Sequence, residues 1–157
     1  MAKIFPFWRL VPPVPPPVTE RILNGGFEYG DFTYWDLYGT PEIVTDPVHA
    51  GTYAAYLGYQ QSIKQTLTAP VPQSSIASFS VWIYGEDFMW DHSSAKITIY
   101  YDDGSSSTHN FEAPNHSWLQ IDLKPYVDSG KNVSAVRIRS WLDYAYKLWV
   151  DDVSLIA

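Results

Sequence analysis

The sequence predicts an all-β protein, a jelly-roll β-sandwich that follows an extended proline-rich N-terminal arm. Three observations carry this. Short apolar runs alternate with clusters of Gly, Pro, Asn, Asp and Ser, which is the spacing of many short strands. Aromatic residues are abundant, with 7 Trp, 12 Tyr and 7 Phe, while Leu-rich or Ala-rich stretches at helical spacing are missing. The first twenty residues differ in kind from the rest. With 157 residues the chain has room for one domain with a sizeable core and an appendage. The expected division is an arm over 1–20 and a jelly-roll domain over 21–157.

In the arm, Val11-Pro-Pro-Val-Pro-Pro-Pro-Val18 predicts polyproline II, because proline fixes φ and removes backbone donors. Twenty extended residues reach about 60 Å at about 3.1 Å each. A compact domain of the remaining length has a radius of gyration of about 14 Å, so the arm is long enough to cross a neighbouring subunit. Ile4, Phe5, Phe7, Trp8 and Leu10 are each stabilised by roughly 1.5–3 kcal/mol on full burial. Docking onto another chain is therefore expected, with Phe5, Phe7, Trp8, Leu10, Pro12 and Pro15 as contacts. Arg9-Leu-Val-Pro12-Pro-Val-Pro15 also fits the R-x-x-P-x-x-P form read by aromatic grooves, a short pattern of low specificity.

Strands are expected at 41–45, 53–58, 61–68, 76–84, 95–101, 107–112, 117–123, 133–141 and 147–156. Asp102-Asp-Gly-Ser reads as a hairpin turn, and Asn24-Gly-Gly26 as a tight bend. In Phe79-Ser-Val-Trp-Ile-Tyr84, alternation puts Phe79, Val81 and Ile83 inward and Ser80, Trp82 and Tyr84 outward. In Val136-Arg-Ile-Arg-Ser-Trp141, it separates inward Val136 and Ile138 from Arg137, Arg139 and Trp141. The outward sets together predict an aromatic and basic wall.

The formal net charge of −7 weighs against a surface built to neutralise phosphates, so nucleic acid is not an expected partner. Without cysteine there is no disulfide, thiolate metal site or Cys nucleophile. The interrupted apolar residues before Pro6 do not form a signal-peptide core, and no apolar run is long enough to span a bilayer, so neither export nor a membrane partner is expected. His49, His92, His109 and His116 lack zinc-site spacing. Ser93-Ser-Ala-Lys96 matches S-x-x-K without its companion motifs. Glu86, Asp87, Asp102, Asp103 and Asp143 are acids on expected loops with no pairing legible in sequence. No enzyme activity is expected.

Carboxylates beside apolar runs mark both ends of the domain: Leu23-Asn-Gly-Gly-Phe-Glu28 and Leu148-Trp-Val-Asp-Asp-Val-Ser-Leu155. If those ends lie side by side, Glu28 and Asp151 share one hard cation completed by backbone carbonyls. These two segments, with Trp35, Val48-His-Ala-Gly-Thr-Tyr53, Ser62-Ile-Lys-Gln-Thr-Leu67, Phe79-Ser-Val-Trp-Ile83 and Trp118, resemble carbohydrate-binding modules of families 4, 9 and 22, jelly rolls of the galactose-binding type. The resemblance spans nearly all of 22–157. It implies a structural Ca2+ held by Glu28 and Asp151, with carbonyls from around Gly26 and from the His49 to Gly51 loop. Asp151 is preferred to Asp152 because Val153 and Leu155 share its strand phase, and Asp46 is a further candidate.

The resemblance also implies glycan rings stacked on aromatics at Trp82, Tyr84 and Trp141, with Arg137 and Arg139 beside them and Trp90 in the adjoining loop. Packing is the competing role for Trp82 and Trp141, and the expected role for Trp35 and Trp118. The same jelly roll is reused in capsid decoration proteins of tailed phages, which form trimers and clamp neighbours with terminal arms. The arm and the missing export signal favour that use. The reading is a non-catalytic virion-surface protein on the capsid exterior, made in the host cytoplasm, with a homo-trimer and the major capsid protein or another lattice as partners. The alternative is an extracellular carbohydrate-binding module with a glycan partner. A polyproline ligand is a third reading.

Overall fold

The computed structural model describes residues 13–15, 17–86, 92–141 and 147–157. Phe5, Phe7, Trp8, Leu10, Pro12, Trp90, Asp87 and Asp143 lie outside the described residues. Ten strands run in chain order: β1 Asp36–Tyr38, β2 Glu42–Val44, β3 Ala54–Leu57, β4 Ser62–Pro72, β5 Ser78–Glu86, β6 Ser94–Tyr101, β7 Ser106–Glu112, β8 Trp118–Asp122, β9 Asn132–Trp141 and β10 Lys147–Ile156. They form two five-stranded sheets, sheet I in the order β2-β3-β10-β5-β8 and sheet II in the order β1-β4-β9-β6-β7. All neighbours pair antiparallel. The result is the expected all-β jelly-roll sandwich.

Alternating apolar residues build the core between the sheets. Phe79, Val81 and Ile83 of β5, Ile97 and Ile99 of β6, and Val136 and Ile138 of β9 are buried. Ile63, Ile138 and Ile97 stand in one register row across β4, β9 and β6, so their branched side chains pack as neighbours on one pleated face. Each contributes roughly 1.5–3 kcal/mol by leaving water. Trp35 is also buried, its ring centroid 5.6 Å from Phe27 and its Nε1 donating to the Asn24 carbonyl at 3.1 Å.

Three features differ from the sequence reading. Strand β1 was not expected, since all three of its residues are exposed and show no apolar alternation. Strand β4 continues past 68 to Pro72 through a register shift between Thr66 and Val71. The domain also begins before 21: Thr19 exchanges backbone hydrogen bonds with Ala157, and Arg21 N donates to the Leu155 carbonyl at 2.8 Å. Glu20 belongs with the domain for the same reason, because its carboxylate accepts from the backbone N of Leu155 at 2.8 Å. Ahead of this anchor, Pro13, Val14, Pro15, Pro17 and Val18 are exposed.

Candidate functional site

Three surfaces collect the residues that carry chemistry. The first is the outer face of sheet I. Register aligns Tyr56, Trp149, Tyr84 and Trp118 across β3, β10, β5 and β8. Tyr56 lies 5.1 Å from Trp149, Tyr84 lies 5.3 Å from Trp149 at 89°, and Tyr84 lies 5.4 Å from Trp118. Trp82, one row along, is covered by the His49 imidazole, stacked at 3.7 Å between centroids and 17°. The rings cover one another's faces, the tilted and edge-on packing that aromatic quadrupoles favour.

The second surface is the outer face of sheet II. Lys64, Arg137 and Thr98 stand opposite one another on β4, β9 and β6, and in the next row Arg139 stands opposite Lys96. Aromatic rings flank them. Lys64 Nζ lies 4.4 Å and Arg137 Cζ 5.9 Å from the Tyr100 ring, while Lys96 Nζ lies 4.0 Å and Arg139 Cζ 5.4 Å from the Trp141 ring. None of the four cations forms an ion pair among the described residues. The Nε atoms of Arg137 and Arg139 are buried without an acceptor among the described residues.

The expected single wall is therefore two walls. Trp82 and Tyr84 face out from sheet I, and Arg137, Arg139 and Trp141 face out from sheet II, on the opposite side of the sandwich. Alternation fixes which residues point away from the core, but each sheet of a sandwich has its own outer face. Sequence reasoning missed Lys64, Lys96 and Tyr100 on the sheet II face. The alternation in Lys96-Ile-Thr-Ile-Tyr100 carried that signal, with Ile97 and Ile99 buried between the outward residues.

The third surface joins the two ends of the domain. Asp151 is wholly buried and accepts three backbone N–H groups: His49 at 2.9 Å and Ala50 at 3.3 Å on Oδ2, and Asp152 at 2.8 Å on Oδ1. Burial, then the neighbouring Asp152 charge, push its carboxyl up to about 6, against the hydrogen bonds that pull it down. Glu28 accepts from the backbone N of Thr52 at 3.0 and 3.1 Å and of Tyr53 at 3.2 Å. Gly26 sits between them: a Cβ there would lie 3.7 Å from Glu28 Cγ, 3.9 Å from Asp151 Oδ1 and 3.0 Å from Asp152 Oδ1. A Cβ on Gly51, whose φ is +68°, would collide with the Glu28 carboxylate.

The His49 loop turns the N–H groups of His49 and Ala50 toward Asp151, the donors that a buried carboxylate requires. The His49 side chain is engaged elsewhere, with Nδ1 2.6 Å from Asp152 Oδ2. One detail corrects the sequence reading of this cluster: Asp151 does not share the phase of Val153 and Leu155. A bulge between Asp151 and Ser154, with Asp152 at φ +44°, shifts the alternation, so Asp151 stands opposite Trp82 on the outer face and is buried by the His49 loop above it.

Among the described residues, no group of three or more His, Cys, Asp or Glu side chains is arranged to hold a metal ion. Two carboxylates supplemented by main-chain oxygens are nonetheless a donor set for a hard cation. Asp151 Oδ1 and Glu28 Oε2 each accept a single N–H and keep a lone pair, so both residues retain capacity to ligate.

Chains of known structure share this architecture. TmCBM61, solved in complex with β-1,4-galactotriose, superposes with a TM-score of 0.62 at 18% identity, covering 87% of this chain and 97% of that one. The fold is that of a carbohydrate-binding module. The CBM22-1 xylan-binding domain of Paenibacillus barcinonensis Xyn10C gives a TM-score of 0.56 at 14% identity over 84% of this chain and 90% of its own. The enzymatically active domain of bacteriophage CBA120 tailspike protein 4 gives 0.59 at 14% identity, and the match takes up 87% of this chain and 21% of the tailspike chain. No protein-family profile and no curated protein sequence matches the chain.

Proposed function

We propose that this chain is a non-catalytic glycan-binding domain whose sugar-contacting surface is the outer face of sheet II. That face is the observation that carries the reading: Tyr100 and Trp141 flank a lattice of outward polar groups on a fold shared with modules named for binding saccharides. Aromatic rings offer apolar faces to the C–H side of a sugar, and Arg, Lys and Thr donors orient its hydroxyls. On sheet I, by contrast, the rings cover one another and His49 covers Trp82, so their contribution is packing. Affinity electrophoresis through neutral and acidic polysaccharide gels tests this. Retardation that Trp141→Ala abolishes and Trp82→Ala retains supports it, and migration unaffected by every polysaccharide overturns it.

Virion-surface assembly is the second reading, favoured by the likeness to a phage tailspike domain and by the exposed proline segment leading to the anchored Thr19. Here the chain is a trimeric capsid-decoration subunit whose arm, through Phe5, Phe7, Trp8, Leu10, Pro12 and Pro15, reaches a second copy or a capsid protein. Light scattering decides it. A defined oligomer that becomes monomer when the chain begins at Val18 supports this reading, and a monomer in both forms sinks it.

Under either reading, Glu28 and Asp151, with main-chain oxygens near Gly26 and His49, hold a structural Ca2+. A buried Asp151 with no ion-pair partner among the described residues supports this assignment.

A further inference from the structure

The basic lattice on sheet II is unusual for this chain. Four of its ten Lys and Arg residues occupy one sheet face in a protein of net charge −7. They are placed in the least favourable way for folding alone, since Lys64 is the direct cross-strand partner of Arg137 and Lys96 of Arg139. Like charges opposite one another destabilise a sheet. No ion pair among the described residues relieves this. Asp36, opposite Lys64 on the edge strand β1, makes no ion pair with it, and Glu112 at the far edge pairs with His92 at 3.3 Å.

The four cations instead point toward the Tyr100 and Trp141 rings, and both arginines keep a buried Nε–H without an acceptor among the described residues. Among the described residues the face is thus charged, partly desolvated and short of anions. Thr98 and Thr108, whose hydroxyls lie 3.0 Å apart, and exposed Asn110 extend it with neutral hydrogen-bonding groups.

Resting on the glycan reading above, we propose that sheet II binds a carboxylate-bearing polysaccharide, a polyuronate. The guanidinium fork matches a planar carboxylate with two parallel N–H bonds. Arg137 and Arg139, two residues apart on β9, lie roughly 7 Å apart along the strand, so one polyanionic saccharide chain laid along β9 presents carboxylates to both arginines. The Tyr100 and Trp141 rings at the two ends stack on sugar faces, a contact that distinguishes a saccharide from a simple anion.

The test is a binding titration of the full chain against polygalacturonate and alginate. The comparison ligands are carboxyl-reduced polygalacturonate, β-1,4-galactan, xylan, dextran sulfate and single-stranded poly(dT). Binding of at least one polyuronate, weakened by salt and lowered about ten-fold or more by the paired change Arg137→Gln/Arg139→Gln, is expected, because both charge-assisted forks are lost. Lys64→Gln/Lys96→Gln serves as a second variant that leaves the arginines in place, and it is expected to weaken polyuronate in the same direction. Thermal melting of both variants checks that they fold.

Equal binding of polygalacturonate and its carboxyl-reduced form, or binding of the neutral polymers alone, overturns the acidic specificity and leaves the glycan reading standing. Dextran sulfate or poly(dT) bound as tightly as polyuronate overturns the commitment to a carboxylated glycan. Failure to bind any saccharide removes both the inference and the reading beneath it.

Discussion

Replacing Trp82 and Trp141 separately by Ala should give opposite outcomes, because the two residues stand on opposite sides of the sandwich. Trp82 is half-buried, with His49 stacked on it at 3.7 Å, and the same imidazole meets the Trp118 edge at 5.8 Å. Truncating a fully buried Trp costs about 3–5 kcal/mol, so a half-buried one loses about half of that. The aromatic stack adds about 1 kcal/mol. Trp82→Ala should therefore destabilise the domain by about 3 kcal/mol, a fall of roughly 5–12 °C in melting temperature for a chain of this length. Trp141 ends β9 beneath two cations, and removing it forfeits two partly exposed cation–π contacts, about 1 kcal/mol in all. Differential scanning fluorimetry and affinity electrophoresis on the same preparations read both effects. Stability should fall mainly in Trp82→Ala, and glycan binding should vanish only in Trp141→Ala. A Trp82→Ala protein that melts like wild type yet binds no polysaccharide would refute the assignment and move the sugar site to sheet I.

Chelation should lower the melting temperature, and Asp151→Asn should abolish that response, since a ligand bound only by the folded state stabilises through mass action. In chelator the pH dependence has a definite sign. Asp151 binds its proton more tightly in the native state, at about 6, than its ordinary 3.8, so metal-free protein should lose about 3 kcal/mol of stability as pH rises from about 4 to about 6, with no further loss from this group above that. Saturating Ca2+ should flatten this slope, as a bound cation favours the carboxylate. Carboxyl carbon NMR of Asp151 in chelator checks the cause directly, and a titration midpoint below 4 would contradict it. Gly51→Ala should weaken the calcium response while leaving both acids in place, because its new Cβ displaces Glu28 from the Thr52 and Tyr53 N–H groups; calorimetry of Ca2+ binding measures it. Glu20→Ala should cost roughly 1–3 kcal/mol in urea melts by stranding the Leu155 N–H. A chain truncated at Arg21 should therefore melt below one beginning at Val18, and only the latter cleanly separates the arm from the domain.

How far the fold was legible follows from which interactions are local. Alternation within β5 and β9 assigned Phe79, Val81, Ile83, Val136 and Ile138 to the core, because side-chain direction in a strand is a property of two consecutive residues. The same alternation could not assign Trp82 and Arg137 to different walls, since sheet membership depends on β5 pairing with β10 and β9 pairing with β4 and β6, partners far away in sequence. Glu28 and Asp151 were readable as a pair because the two motifs at the ends of the domain each place an acid beside a strand. The reason given for Asp151 fails at the bulge: a single residue of positive φ at Asp152 inverts the phase of the remaining strand. That inversion also has a consequence for function. Past the bulge, Val153 N–H donates to the Gly25 carbonyl at 3.0 Å and ties the N-terminal bend to the last strand beside the acid. This approach is possible only because residue 25 has no Cβ, which would collide with the Val153 carbonyl. The acid cluster is thus built jointly by a bulge in the last strand and a glycine in the first bend, and a substitution at either should disturb the carboxylate environment without touching a carboxylate.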